Sequence, residues 1–294
     1  TLRQPGSTFK VITSFAPAID TCGATLGSVY YDGPYTMDTK TFRNWYSSKG
    51  YMGYSTIRDG IVYSMNIVAV RCMIETVTPQ LGVEYARNLG ITSLTDTDYN
   101  ASTALGGIVS NLELTNAFAA IANGGIYTKP VFFTQILDHN GKVLLENAPE
   151  TKRVLKDSTA FLLTDAMSQS MESSRMFASS GVSLNSTSAV ANIPGMSNAG
   201  KSGTTTNNND IWFVGFTPYY TAGIWSGCDD NQKISAIGSS TSYHKKIWKA
   251  IMTKIHEGLA DTGFPVPSSV TTAQICRKSG KLAIPGVCEN DPRG

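Results

Sequence analysis

Near the end of the chain, two apolar segments, 211–217 and 221–227, lie only three residues apart. Each has the length of a β-strand, and so short a connection requires the two strands to run antiparallel. The segment 244–259 follows, with its apolar residues on one helical face. Helical patterns precede the strands and one follows them. The chain is therefore predicted to have an α+β fold, in which an antiparallel sheet is flanked by helices.

Hydrophobic periodicity outlines the remaining elements. Predicted helices cover 7–20, 55–76, 112–123 and 157–172, and a hairpin joins 131–137 to 142–145 through a turn at 138–141. Ser55 is expected to cap the second of these helices. Residues 21–55 and 174–198 are rich in turn-forming residues and are predicted to be long loops. We expect residues 1–260 to form one domain and residues 261–294 to be a C-terminal extension.

The composition narrows the class of function. Hydrophobic residues make up 41% of the chain and charged residues 16%, which is typical of a folded globular protein. A net charge of +2 and the lack of any Lys/Arg run argue against nucleic acid as a partner. The five cysteines match no zinc or C-x-x-C motif. Cys276 and Cys288 flank a short turn-rich segment, and the sequence leaves open whether they form a disulfide or remain free thiols.

The first motif that carries chemistry is Ser7-Thr8-Phe9-Lys10. On a helix, Ser7 and Lys10 share a face, and Pro5-Gly6 would place Ser7 at the helix N-terminus, where backbone N–H groups favour negative charge. A serine hydroxyl becomes a nucleophile when a nearby base, such as a neutral lysine, removes its proton. Taken alone, the motif is common by chance and is better explained by a surface Ser and Lys at the start of an ordinary helix.

The second motif is Ser64-Met65-Asn66, whose hydroxyl can relay a proton and whose amide can hold a substrate carbonyl. The third is 201–205, Lys-Ser-Gly-Thr-Thr, directly before the predicted strand at 211–217. A cation, hydroxyls and a glycine together suit the anionic end of a peptide. By itself, the second motif is a common tripeptide and the third is a polar turn that enters a strand.

In this order, the three motifs resemble the S-x-x-K, S-x-N and K-T/S-G set of penicillin-binding proteins and serine β-lactamases. Longer segments are similar to the class A (bifunctional) penicillin-binding proteins: 3–10, 104–107, 112–117, 123–125 before Lys129-Pro130, and 199–218. The similarity spans roughly residues 3 to 255. It implies the fold of a transpeptidase domain, with a mostly helical subdomain beside the antiparallel sheet.

The resemblance implies a D,D-transpeptidase that cross-links peptidoglycan stem peptides and is acylated and inhibited by β-lactams. Ser7 would attack the carbonyl between the last two D-alanines. Lys10 would act as the base, and Ser64 would relay a proton to the leaving amine. The backbone N–H groups of Ser7 and Thr204 would form the oxyanion hole. No metal or cofactor is implied.

The resemblance also implies a substrate-binding set. Asn66 would hold the peptide backbone. The terminal carboxylate and the approaching substrate backbone would be bound by the third motif, Lys201, Ser202, Gly203 and Thr204. Ser202 stands where the family usually has Thr, a change that keeps the hydroxyl. The implied partners are stem peptides that end in D-Ala-D-Ala, β-lactam antibiotics and the cell-wall synthesis machinery.

Family members also have sheet strands before the nucleophile segment, whereas only six residues precede Ser7 here. We therefore expect the chain to be part of a longer one. Its upstream sequence would supply the first strands and, with a class A relationship, a glycan-polymerising domain and a membrane anchor. The site would then lie at the extracytoplasmic face of the bacterial cell membrane.

Two alternatives share the motifs. A serine β-lactamase needs a base, usually Glu, for deacylation, and residues 113–116 offer an E-x-x-N pattern. That pattern lies inside a helical segment that itself resembles the transpeptidases, so we interpret Glu113 as structural. The other alternative is a penicillin-binding sensor or scaffold without turnover. The three histidines are interpreted as surface or packing residues. Trp45 and Tyr46, with Tyr51 and Tyr54, fit either a substrate groove or a buried aromatic cluster.

Overall fold

The computed structural model describes residues 1–234 and 242–289. Its strands, in chain order, are β1 (Leu2–Arg3), β2 (Val29–Asp32), β3 (Tyr35–Met37), β4 (Lys40–Phe42), β5 (Gly53–Thr56), β6 (Val109–Ser110), β7 (Ile126–Thr128), β8 (Gln135–Leu137), β9 (Val143–Glu146), β10 (Thr151–Arg153), β11 (Arg175–Phe177), β12 (Ser183–Asn185), β13 (Ala199–Thr204), β14 (Asp210–Phe216) and β15 (Thr221–Gly227). Its α-helices are α1 (Ala16–Asp20), α2 (Ile57–Val62), α3 (Asn66–Cys72), α4 (Pro79–Asn88), α5 (Asn111–Ala122), α6 (Asp157–Met171) and α7 (Tyr243–Ile255). This mixture confirms the predicted α+β class.

The main sheet has the order β13-β14-β15 and is antiparallel. Its middle strand β14 is buried along its whole length. Because side chains alternate across a strand, Trp212 packs into the large core that contains α5, whereas Phe213 stacks edge-on against Trp248 of α7. The sheet is therefore covered by helices on both faces, as an α+β layer fold requires.

The third motif lies within a strand and not in a turn before one. Lys201 pairs with Val214 and Thr204 with Ile211, so the first four residues of the motif belong to β13, a strand that the sequence analysis missed. The glycine and the hydroxyl residues of this stretch hide its apolar alternation. The edge position of β13 leaves one side of the motif free of sheet partners among the described residues.

The first predicted helix, 7–20, is helical but not α-helical throughout. It begins with a 3₁₀ turn at Gly6–Thr8, continues as a π-helix over Lys10–Phe15 and becomes α1 at Ala16. Every side chain of the π-helical part is buried. Short π-helical segments are uncommon and are frequently found at functional sites.

The predicted helix 55–76 is interrupted. α2 begins after Thr56, not Ser55, because Thr56 and Asp59 form a reciprocal capping box. The helix then stops before Ser64, whose φ of +55° lies in the left-handed region, and α3 begins at Asn66. The second motif therefore occupies a sharp turn between two helices.

The two predicted loops contain regular structure. Residues 21–55 hold the antiparallel pairs β2–β5 and β3–β4, and residues 174–198 hold the hairpin β11–β12. The strands are only three or four residues long and alternate with turns, which is why composition alone reads them as loops. α4 was also missed. It begins at Pro79, with the Thr78 hydroxyl accepting from the Leu81 amide.

Residues 261–289 are irregular and pack on the preceding part of the chain. Phe264 stacks edge-on against Phe216, and Arg277 forms an ion pair with Asp59. Cys276 and Cys288 are free thiols in this structure. Among the described residues, none of the helices has the length and apolar character needed to cross a membrane.

Within residues 1–234 and 242–289, one edge of the sheet is unpaired and one apolar face of α7 is exposed. The outer edge of β15 pairs with no strand there. On α7, Ile247, Ile251 and Ile255 recur every four residues and are each about half exposed. Proteins normally cover such edges and apolar stripes. The prediction that further strands from upstream sequence add to this sheet stays a prediction, and these two features favour it.

Expressing residues 1–294 alone tests that prediction. Because the sheet edge and the isoleucine stripe remain uncovered, we expect insoluble protein, or protein recovered only when upstream sequence is restored. Thermal melting and titration with penicillin are the measurements. A cooperative melt of residues 1–294 together with stoichiometric acylation would contradict the prediction.

Candidate active site

The nucleophile segment packs directly on β13, and two glycines permit the contact. Gly6 has φ +56°, and a Cβ at this position would lie 2.8 Å from the Thr204 carbonyl oxygen and 2.9 Å from the Thr204 nitrogen. A Cβ on Gly203 would lie 2.2 Å from the Pro5 carbonyl oxygen. No side chain fits at either position. The backbones around Ser7 and Thr204 are therefore held next to each other.

Ser7 lies in the 3₁₀ turn that starts the helical segment, and its side chain is partly exposed. The segment before it is anchored by the Trp212 indole, which donates to the Gln4 carbonyl at 2.8 Å. The Ser7 hydroxyl makes no hydrogen bond to any other residue that the structure describes. A polar atom that is open to solvent and free of internal partners remains accessible to an incoming substrate.

Lys10 is fully buried, and within the described part of the chain its Nζ has only oxygen atoms as hydrogen-bond partners. Its Nζ donates to the Ser64 carbonyl at 2.7 Å and to Asn66 Oδ1 at 2.6 Å, and it lies 3.2 Å from Ser64 Oγ. Among the described residues no carboxylate forms an ion pair with it. Burial, and next the charge of Lys201, lower the pKa of Lys10 well below its usual range.

A neutral Lys10 satisfies this geometry. The two shortest contacts are to a carbonyl and an amide oxygen, which only accept hydrogen bonds. A neutral amine supplies two N–H donors to them and keeps one lone pair. That lone pair is available to take a proton from a hydroxyl, which is what a general base at this position must do.

Ser64 lies between two lysines. Its Oγ accepts from Lys201 Nζ at 2.8 Å and lies 3.2 Å from Lys10 Nζ. While Lys10 is neutral, the free lone pair of its Nζ can accept a proton from a hydroxyl. Once Lys10 is protonated, its third N–H can donate to Ser64 Oγ, and the Ser64 proton is then free to pass to an external acceptor.

Lys201 is fully buried in β13 and also donates to the Ser202 carbonyl at 2.9 Å. Burial, and next the charge of Lys245, lower the pKa of Lys201 to about 7. Lys245 is itself partly buried at the start of α7, where its Nζ donates to the Thr187 carbonyl at 2.7 Å and burial lowers its pKa to about 8. The sequence analysis missed Lys245, because only the packing of α7 against the site brings it there.

The structure thus joins four of the residues predicted for the site, Lys10, Ser64, Asn66 and Lys201, into one hydrogen-bonded cluster. Gly203 and Thr204 lie beside the turn that carries Ser7. Ser202 pairs with Phe213 and contacts the cluster through its carbonyl, which accepts from Lys201 Nζ. Asn66 is held from a different part of the chain, since its Nδ2 donates to the Arg43 carbonyl at 2.8 Å.

Glu113 has a different task. One of its carboxylate oxygens accepts from the backbone and hydroxyl of Ser110 in a capping box, and the other accepts from both groups of Thr92. Partial burial would raise its pKa, but the hydrogen bonds from Thr92 and Ser110 outweigh burial and lower the pKa. The contacts agree with the structural interpretation of this residue.

The aromatic residues divide between the two readings that the sequence left open. Tyr46 is buried, with its hydroxyl 2.8 Å from Asp32, whereas Trp45 is more than half exposed. The Trp45 indole donates to the carbonyl of Tyr63 at 3.1 Å, directly beside Ser64. His256 is a buried packing residue that hydrogen-bonds Thr217, and His139 is exposed.

Comparison with known proteins gives the same picture. The family model of the penicillin binding protein transpeptidase domain matches residues 1–253. Penicillin-binding protein 1A of Clostridium botulinum is 32% identical over 306 aligned residues, covering all of this chain and 35% of that protein. Penicillin-binding protein 2D of Bacillus subtilis is 34% identical over 82% of this chain and 34% of that protein. The chain therefore spans about a third of the length of these curated relatives.

Solved structures agree in fold. Penicillin-binding protein 1A from Haemophilus influenzae superposes with a TM-score of 0.81 at 24% identity, over 97% of this chain and 47% of that one. The penicillin-binding protein PonA1 from Mycobacterium tuberculosis gives 0.77 at 26% identity, over 92% and 73%. The α+β fold is thus that of penicillin-binding proteins. The chain belongs to the family of penicillin-binding protein transpeptidase domains, as the class A resemblance implied.

Replacing Lys201 with Met should move the acidic limb of the acylation–pH profile to higher pH. If Lys10 is the base, it must be deprotonated to act, and the positive charge of Lys201 is one of the two causes that lower the pKa of Lys10. Without that charge the pKa of Lys10 rises, and its neutral fraction appears only at higher pH. Rates of acylation by a fluorescent penicillin, measured across the pH range, locate the limb.

The conservative change Ser202→Thr is the matched control, since it keeps the cation in the same strand. Its limb should coincide with that of the wild type. The Lys201→Met variant is also expected to be acylated more slowly, but the pH at which the acidic limb falls does not depend on the maximum rate. Coincidence of all three limbs would mean that Lys201 does not tune the base.

Proposed function

We propose that this chain is the acyl-transferring part of a serine-type D,D-transpeptidase, which cross-links peptidoglycan stem peptides ending in D-Ala-D-Ala. The observation that carries the proposal is the cluster around Ser64, in which two fully buried lysines with lowered pKa meet one hydroxyl, beside a partly exposed serine. Such a cluster moves protons between a nucleophile and a leaving group at neutral pH.

In the acylation step, Ser7 Oγ attacks the carbonyl carbon between the last two D-alanines, and its proton passes to Lys10. The negative charge that develops on the carbonyl oxygen is received by the backbone N–H groups of Ser7 and Thr204. The close packing of Gly6 on Thr204 supports this pairing. Each such donor typically contributes on the order of 3 kcal/mol to the transition state.

Collapse of the intermediate breaks the peptide C–N bond. The leaving D-alanine amine takes the Ser64 proton, which the lysine-bound hydroxyl has available, and the proton held on Lys10 replaces it through their direct contact. An amine of a neighbouring peptidoglycan strand then attacks the acyl-Ser7 ester, and Ser64 and Lys10 move the protons in the reverse direction. The two peptidoglycan strands are then cross-linked, and the Ser7 hydroxyl is regenerated.

Substrate binding follows from β13. Lys201, with Ser202 and Thr204, forms the cationic and hydroxyl-bearing edge for the terminal carboxylate, and Gly203 gives the substrate backbone room. Asn66 holds the peptide. β-Lactams would acylate Ser7 by the same route. We place the site at the extracytoplasmic face of a bacterial cell membrane, anchored through sequence outside this chain, where cell-wall synthesis proteins are its partners.

A Ser7→Ala variant tests the nucleophile. Because Ser7 alone combines the turn on β13 with Lys10 three residues on, the variant should not be labelled by a fluorescent penicillin, whereas wild type should be labelled stoichiometrically. Gel fluorescence and intact-mass spectrometry give the measurement. Release of D-alanine from a stem peptide by wild type separates a transpeptidase from a non-catalytic sensor. Equal labelling of wild type and variant would place the acylated residue elsewhere.

Glu113→Gln tests the β-lactamase alternative. Both carboxylate oxygens of Glu113 are already bonded to Thr92 and Ser110, so the residue is not free to activate a water. The lifetime of the penicilloyl-enzyme should therefore be unchanged, as followed by mass spectrometry after removal of free penicillin. A much longer lifetime in the variant would favour a lactamase.

A further inference from the structure

Each of residues 43–45, in the segment between β4 and β5, makes a hydrogen bond to the second motif or to a residue next to it. Asn66 Nδ2 donates to the Arg43 carbonyl at 2.8 Å. Asn44 Oδ1 accepts from the backbone N–H groups of Asn66 at 2.8 Å and of Ile67 at 3.1 Å. Trp45 donates to the Tyr63 carbonyl at 3.1 Å. Three consecutive residues thus hold both sides of the turn that carries Ser64.

Asn44 makes the central contact, and it replaces a helix cap. The residue in the N-cap position of α3 is Met65, whose side chain cannot accept from the first amides of the helix. Asn44 supplies the missing acceptor from another part of the chain. The start of α3, and the direction of the Asn66 side chain that leaves it, are therefore set by Asn44.

Asn44 is in turn oriented by a buried carboxylate. Its Nδ2 donates to Asp32 Oδ1 at 2.5 Å, while Asp32 Oδ2 accepts from the Tyr46 hydroxyl and the Met52 amide, both at 2.8 Å. Asp32 is fully buried and forms no ion pair among the described residues. Burial, and next the charge of Asp32, keep the pKa of Tyr46 far above its usual range, so Tyr46 remains a donor.

The arrangement leads directly to the base. Asp32 orients Asn44, Asn44 holds the backbone of Asn66, and Asn66 Oδ1 accepts from Lys10 Nζ at 2.6 Å. A carboxylate without a cation is an expensive group to bury, and here each of its oxygens is satisfied by donors from the 44–52 stretch. These bonds fix one orientation of the Asn44 amide, because only its oxygen can face the N–H groups of α3.

We infer that Asn44, oriented by Asp32, is a positioning residue for the acyl-transfer reaction, which sets Asn66 and, through it, the base Lys10. This inference rests on the proposed function. Asn44 touches no reacting atom, so its removal should leave the affinity for penicillin nearly unchanged and slow the acylation step. Misplacing a catalytic group by about 1 Å costs on the order of 10²-fold in rate.

The experiment uses the full-length protein and measures penicillin affinity and the acylation rate separately by stopped flow. Asn44→Ala should lower the acylation rate by about 10²-fold with little change in affinity. Asn100→Ala is the matched control, because Asn100 also caps a helical turn through its oxygen, from the Ser102 amide, and donates from its nitrogen, to the Thr97 carbonyl. It lies apart from the cluster and should react at the wild-type rate.

Exchanging the side chains of Asp32 and Asn44 tests whether a variant at position 44 is slow only because it has lost structure. Asn44→Asp alone sets two carboxylates side by side, which share a proton at low pH and repel once it leaves. Its rate relative to wild type should therefore decline as the pH rises. The double variant Asp32→Asn with Asn44→Asp reverses the direction of the hydrogen bond between residues 32 and 44 and keeps their other hydrogen bonds. It should therefore recover the acylation rate at neutral pH.

The possible outcomes distinguish a failure of this inference from a failure of the proposed function. If wild type itself is not acylated at Ser7, the proposed function fails. If wild type reacts and Asn44→Ala reacts equally fast, or loses affinity in place of rate, Asn44 has no positioning role. A double variant no faster than Asn44→Asp alone would likewise overturn the pairing with Asp32.

Discussion

Two lysine side chains that carry no carboxylate partner among the described residues meet at one hydroxyl in the interior. Burying an amine in this way disfavours its charged form, and two of them at one oxygen disfavour two simultaneous charges more strongly still. The fold must therefore hold Lys10 and Lys201 on either side of Ser64 and keep both from solvent. The chemistry of the site follows from that constraint, since a lysine exposed to water would stay protonated at neutral pH.

Each lysine reaches the cluster from a different kind of structure. Lys10 comes from a π-helical segment enclosed by the helical part of the core, and Lys201 comes from the edge of the sheet. The glycine contact between Gly6 and Thr204 joins the two parts next to Ser7. The proposed reacting groups therefore lie at the boundary between the helices and the sheet. Small movements of one part against the other would alter the site before they altered either core.

Some of the elements and site residues can be predicted from the sequence, and others cannot. The strands β14 and β15 and the helices α5, α6 and α7 are predictable, because each has an apolar period and clear ends. The three motifs are recognisable by their order. By contrast, β13 reads as a turn because Gly and Ser replace its apolar positions. Asp32, Asn44 and Lys245 carry no local signal, since their roles exist only when segments distant in the chain are packed together.

At position 64, the residue that the backbone conformation favours differs from the residue that activity requires. A residue with a side chain held at φ +55° is less stable than glycine there, typically by about 1 kcal/mol. Glycine would relax the backbone but would remove the hydroxyl that contacts both lysines. A drift towards a more stable chain is therefore opposed at this position by selection for turnover. Variants recovered by screening for thermal resistance alone would be expected to include inactive ones that changed here.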